Sequence, residues 1–264
     1  MTALTAAATG WYVYGVVGGD AAVELARDLR GVAAERVRIV EHGSLGAIVS
    51  EVPLDEFGEE ALPERLNDRG WLERNARAHE DVLQDFAAST AVVPLRFGTI
   101  YRDPTAVTAL LTERADAFAA SLEHVRGRVE LGVKAWTDRG APAARPRGAA
   151  ELRATGRSYL EERLHEREAA ARAGAKRFEI VQAAHERLLA LAVDGVVNRP
   201  QPRELTGRAE EMVLNAAYLV PAGDSSLARE VALLDAEGRD AGISFELTGP
   251  WPPHNFVDEQ VDRP

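Results

Sequence analysis

The segment Gly249-Pro250-Trp251-Pro252-Pro253 limits what this chain can fold into more than any other. Proline has no N–H to give a sheet, fixes its own φ, and pushes the residue before it toward extended backbone. The stretch just upstream alternates cleanly, with Ile243, Phe245 and Leu247 on one face and Ser244, Glu246 and Thr248 on the other. That strand cannot run on as a central strand through the prolines, and no helix can begin there. The chain must leave it as a stiff extended arm carrying Trp251 and Phe256. Such an arm is either covered by the protein itself or grips something else.

Periodicity organises the rest. The apolar run Trp11 to Val17 predicts a central strand, and Asp20 is placed to cap a helix over roughly 21–30. Two strands follow, "RVRIVEHG" and "LGAIVSEV", joined tightly at Gly43-Ser44. Leu72, Ala76, His79, Leu83, Phe86 and Thr90 form one stripe of a long helix. In "AVVPLRFGTIY", Val93, Leu95, Phe97 and Tyr101 are expected on one face and Arg96 on the other, with Pro94 marking an edge or a bulge. This order, β-α-β-β-α-β, predicts a ferredoxin-like sandwich with helices on one side of an antiparallel sheet.

After Asp103-Pro104, Val107, Leu111, Phe118 and Leu122 predict a connecting helix, and the same order then reads a second time. A strand points Val129, Leu131, Val133 and Ala135 inward, and a low-complexity loop occupies 138–148. A helical stretch from about 149 to 192 pairs Glu168 with Arg172 and carries Phe178, Val181, Leu188 and Leu189. Strands at "DGVVNRP" and 212–221, a helix around Leu227, Val231 and Leu234, and the final strand complete it. The expectation is an α+β protein of two domains, each an antiparallel sheet with helices. They span 1–103 and 125–264, the arm belonging to the second, with a connecting helix over 104–124. The triplet "AHE" at 78–80 and 184–186 is too short to set a different frame.

The net charge of −11 argues against a nucleic-acid partner, which needs clustered Lys and Arg. There is no cysteine, so disulfides and thiolate chemistry are excluded. No stretch approaches the ~20 apolar residues of a membrane span, and "MTALTAAATG" lacks the features of a signal peptide. A cytoplasmic location is expected. His79 and His185 lie on apolar stripes without companion ligands, which reads as satisfied core histidine rather than metal or base. "GVVGGD" matches no phosphate-loop pattern and lacks the Arg that acyl-phosphate hydrolysis would need. There is no GxSxG elbow, and Glu59-Glu60 and Glu210-Glu211 read as solvated helix starts. No catalytic residue, metal or cofactor is expected.

What remains is interaction surface. Leu95, Arg96, Phe97 and Tyr101, with Trp251, Pro252, Pro253, His254 and Phe256, present apolar, aromatic and Arg side chains on proline-braced extended backbone, the usual anchors of protein contacts. The competing expectation is that Trp251 and Phe256 fold back over the protein's own sheet.

The runs "FELTGPWPPHNF", "VVPLRFGTIY" and "YVYGVV" together resemble the GvpF/GvpL family of gas vesicle accessory proteins, in order and spacing from about residue 11 to 256. Members usually carry a tyrosine after the prolines, where this chain has His254. The resemblance implies two α+β domains, the second a modified ferredoxin-like fold, and function without catalysis. It implies a minor component of gas vesicles that binds the small hydrophobic shell subunit (GvpA-type) and limits its aggregation, alongside other gas vesicle accessory proteins. The alternative carried from the paired domains is a ligand-sensing regulatory module.

Overall fold

The computed structural model describes residues 8–19, 26, 28–137 and 156–257. The chain divides into two compact units, Met1–Glu130 with Pro250–Pro264, and Leu131–Gly249. The arm thus packs with the first unit, not with the second to which the sequence reading joined it. The loop expected at 138–148 lies outside the described residues, as does most of the helix expected at 21–30. At that helix's expected end, Arg30 instead bridges Arg36 in antiparallel fashion.

The first unit is built on β1 (Thr9–Gly18), β2 (Arg38–His42), β3 (Leu45–Pro53), β4 (Val92–Pro94) and β5 (Ile100–Tyr101). The order is β2-β3-β1-β4, with β5 also on β1, and every one of these pairings is antiparallel. Gly43, at φ 58, makes the tight β2–β3 connection. The run from Trp11 to Val17 is central, as its two-sided apolar character requires.

Its alternation is not simple. The β1–β3 register shifts between Val13 and Gly15, a bulge that turns the strand by one residue. Tyr12, Tyr14 and Val17 therefore share one face, and Val13 and Val16 the other. Gly15 sits at the shift, where a Cβ would lie 2.7 Å from the Val93 carbonyl oxygen.

Both faces are covered, which corrects the expectation of helices on one side. Helix α1 (Arg69–Ala87) lays Trp71, Val82, Leu83 and Phe86 on Tyr12, Tyr14 and Ile48. Asp68 caps it, accepting from the N–H groups of Gly70 and Trp71 at 2.9 and 3.1 Å. The expected connector is two helices, α2 (Pro104–Glu113) and α3 (Ala115–Val125), that meet at Arg114. Val107, Leu111, Phe118 and Leu122 pack on Val13, Val16, Ala47 and Val49. Asp103 accepts from Ala106 N–H at 2.9 Å, and Pro104 stands where a helix tolerates it. The physical reason is the composition of β1 and β3: apolar side chains on both faces need cover on both faces. Burying a side chain such as Phe86 or Phe118, both fully enclosed, contributes about 1.5–3 kcal/mol each.

The second unit holds β6 (Arg128–Thr137), β7 (Asp194–Val197), β8 (Glu211–Pro221) and β9 (Ile243–Trp251), ordered β7-β8-β6-β9. Counted from its own first strand, this repeats the order of the first sheet. Helices α4 (Gly156–Leu189) and α5 (Ser226–Gly238) are tied by Arg187, whose guanidinium donates to Glu230 at 2.6 Å and Glu237 at 2.7 Å. The Glu168–Arg172 pair forms at 3.7 Å on an exposed turn of α4, where it contributes little. Val181 and Leu188 are buried, whereas Phe178 is 69% exposed and Leu189 41%.

The bulge generates a test. Gly15→Ala should cost about 1–3 kcal/mol, because backbone rather than a flexible side chain stands in the way. Gly18→Ala on the same strand meets nothing and should stay within about 0.5 kcal/mol. Urea titration of both variants reads the difference.

Candidate functional site

The loop between β4 and β5 is fixed by a buried hydroxyl. Leu95 N–H donates to the Tyr14 carbonyl at 2.8 Å, and the chain then leaves the sheet at Arg96. It turns through Gly98, at φ 84, and returns where Val13 N–H donates to the Thr99 carbonyl at 2.9 Å. Inside the turn, Gly98 N–H donates to Tyr12 Oη at 3.0 Å, and Tyr12 Oη lies 2.9 Å from His79 Nδ1. The His79 ring also hydrogen-bonds the Leu95 backbone, in a sense that favours the protonated ring, so the carbonyl accepts. Nδ1 is then the acceptor from the Tyr12 hydroxyl. Burial drives the His79 pKa down to about 4, with His254 adding to the fall and Glu80 opposing it. Burial likewise pushes Tyr12 well above the ordinary phenol range. His79 is a neutral core histidine, as its place on the stripe implied.

This turn breaks the expected common face of Val93, Leu95, Phe97 and Tyr101. Val93, Leu95 and Tyr101 belong to the cluster under α2 and α3. Phe97 turns to the other side, its ring 6.1 Å from Tyr12, 6.1 Å from Trp71 and 5.8 Å from His79. The chain leaves the sheet at Arg96, so the period of two ends between Leu95 and Phe97, ahead of the left-handed turn at Gly98.

The arm is fastened to the same unit. After Trp251, which is 39% exposed, Pro252 and Pro253 are buried. Asn255 presents its backbone N–H and its side-chain amide to Glu130, at 2.9 and 2.7 Å. Burial raises the Glu130 pKa, and the two Asn255 bonds pull it back. His254 Nε2 meets Glu80 Oε2 at 3.0 Å, while Glu80 Oε1 is buried without a hydrogen-bond partner. Phe256 is buried in a 3-10 turn that lies against α3, and Val257 packs on the Val93–Leu95 cluster.

Loop, helix and arm enclose a cavity of about 380 Å³. Leu95, Arg96 and Phe97 line it from the loop, His79 and Glu80 from α1, and His254 and Val257 from the arm. Of the residues singled out in the sequence, four meet here: Leu95, Arg96, Phe97 and His254. Tyr101, Trp251, Pro252, Pro253 and Phe256 do not line it. Phe256 is internal scaffold, so its assignment as a contact residue gives way to the alternative that it folds back. Sequence reading missed Glu80 and Val257; the signal for Glu80 was its place beside His79 on the apolar stripe.

The second unit has its own cavity, of about 550 Å³, where Phe178, Val181 and His185 of α4 face Met212 and Leu214 of β8. His185 Nδ1 lies 2.7 Å from Tyr218 Oη. Among the described residues no group of three or more His, Asp or Glu could hold a metal ion, and no helix is long and apolar enough to cross a membrane.

The His79–Tyr12 pair makes a pH prediction. A depressed folded-state pKa means the unfolded chain binds the proton first, so this stability is complete above about pH 6.5 and is lost as pH falls toward 4. The loss is about 3 kcal/mol. Glu130, with a raised pKa, acts in the opposite sense, so the test is a difference: wild type minus His79→Gln, by urea unfolding between pH 4 and 7. Tyr12→Phe leaves Gly98 N–H and His79 Nδ1 without their partner and should cost about 1–3 kcal/mol at neutral pH.

Comparison with known proteins gives the chain its relatives. The family profile described as "Gas vesicle synthesis protein GvpL/GvpF" matches residues 10–258. Gas vesicle protein L of a Streptomyces species is 38% identical over 253 residues, 93% of this chain and 92% of that protein. Gas vesicle protein F of the same species is 29% identical, over 94% and 99% of the two chains. Among solved structures, the gas vesicle protein GvpF from an Anabaena species superposes with a TM-score of 0.67 at 22% identity, over 95% of this chain and 96% of that one. GvpF from Microcystis aeruginosa gives 0.63 at 20%, over 94% and 99%. At those identities the two structures establish the α+β fold of paired sheets and helices. With the profile spanning nearly the whole chain, this protein belongs to the GvpL/GvpF family of gas vesicle proteins.

Proposed function

We propose that this chain is a non-catalytic accessory protein of gas vesicle formation, which holds the small hydrophobic shell subunit before it enters the wall and so limits its aggregation. It works in the cytoplasm, in association with the vesicle and with other accessory proteins, as a minor component. One observation carries the reading: the arm, through His254 and Val257, and the loop at the sheet's rim, through Leu95, Arg96 and Phe97, converge on one cavity in the first unit. The first sheet ends at β4 and β5, and a sheet rim interrupted by a loop is a place where another polypeptide can pair or dock. A shell subunit with exposed apolar surface is an aggregation hazard while free, and a strongly acidic partner keeps the pair soluble.

A second reading, a ligand-sensing module, draws on the cavity of the second unit. It requires a metabolite-dependent rise in melting temperature and no complex with shell protein.

Co-expression with a gas vesicle shell subunit tests the first reading through the amount of soluble subunit that co-purifies. Trp251→Ala should reduce capture several-fold with an unchanged melting curve, the behaviour of an exposed aromatic anchor. Full capture by that variant would remove the tryptophan from the interface. Phe256→Ala should instead destabilise the protein by about 3–5 kcal/mol, because its ring is internal.

A further inference from the structure

We propose that the cavity beside Glu80 receives a basic side chain, arginine or lysine, projected by the polypeptide partner, and that His254 holds the place in the partner's absence. This rests on the reading that the chain holds another polypeptide, and it names the chemistry of the contact.

The wall and the charge point the same way. Glu80 has one oxygen on His254 and the other buried with no donor. A buried carboxylate oxygen left without a hydrogen bond is costly, and groups with several N–H donors are the ones that relieve it. Around it, Leu95, Phe97 and Val257 are apolar, which suits the aliphatic stem of a long cationic side chain, and the Phe97 ring can lie against its head. An all-apolar insert would leave the carboxylate unanswered, and an acidic one would repel it. Arg96 is the opposing cation of the lining and sits at the exposed rim.

Charge is also divided unequally along the chain. Residues 1–130 with 250–264 carry 24 acidic against 14 basic side chains, whereas 131–249 carry 18 against 17. Nearly the whole net charge therefore belongs to the unit that owns the cavity, and its field favours cationic segments. The His254 ring, which meets Glu80 at 3.0 Å and whose side chain is 38% exposed, is placed to be exchanged for an incoming cation.

The test uses the full chain and four capped, otherwise identical alanine–leucine peptides carrying Arg, Lys, Gln or Glu at one central position. Fluorescence anisotropy at low and high salt gives affinities, and the His254 ring resonance reports exchange at Glu80. The expected result is Arg and Lys peptides binding roughly tenfold more tightly than Gln, less so at high salt, with the His254 signal displaced. Glu80→Gln should erase the preference while the protein still melts in one cooperative transition. Ala76 of α1 also lines the cavity, and Ala76→Leu, which narrows it with Glu80 intact, should weaken all four peptides. Equal binding of the four, a preference that survives Glu80→Gln, or no binding at all would overturn the inference. Failure of the function reading looks different: wild-type protein would then capture no shell subunit, whatever the peptides do. Equal capture by wild type and Glu80→Gln would overturn the cavity's role and leave that reading standing.

Discussion

The Tyr12 hydroxyl is the pivot of the first unit. It sits in the middle of a buried cluster, accepts from Gly98 and pairs with His79, residues 86 and 67 positions away in the chain. A buried polar group is costly unless satisfied, and once satisfied it specifies one arrangement. Here the arrangement is the turn from Leu95 to Gly98, which sends Leu95 to one side of the sheet and Phe97 to the other. Without that turn β4 would run straight into β5, and the space beneath the loop would not exist. Neutral His79 is part of the same device, since its ring must accept from the tyrosine and donate to the Leu95 carbonyl at once.

The second unit uses a related pair differently. His185 on α4 meets Tyr218 on β8, so a helix that follows the unit's first strand bonds its third strand. In the first unit the helix follows the third strand and bonds the first. The sequence reads each unit as β-α-β-β-α-β, two similar strand–helix–strand halves, and the two pairs fall in opposite halves. The shared Ala-His-Glu triplet thus marks a similar local solution and not a shared repeat frame.

Much of this was legible in local pattern. The apolar run of β1, the stripe of α1, the Asp103-Pro104 helix start and the alternation of β9 each reflect neighbours a few residues apart, where periodicity speaks. The second helical layer was implied by a strand apolar on both faces, yet its helices read as a connector because nothing local says what a helix covers. The bulge at Gly15 and the turn at Gly98 were hidden because a glycine's conformational freedom does not say which conformation is used. Least legible was the closure of the site. Asn255 reaches Glu130 across 125 residues and His254 reaches Glu80 across 174, and no pattern in sequence spans such distances.

The arm's return has a consequence for how the molecule comes into being. Residues 131–249 are, in chain order, an insertion between two parts of one unit. On the ribosome, the early sheet can pair and acquire its helices long before Glu130 meets Asn255, and a nascent intermediate lacking that clasp must persist while the whole insertion is made. The cavity it leaves open gains its last wall only when His254 and Val257 have been made, so that wall cannot form ahead of the insertion.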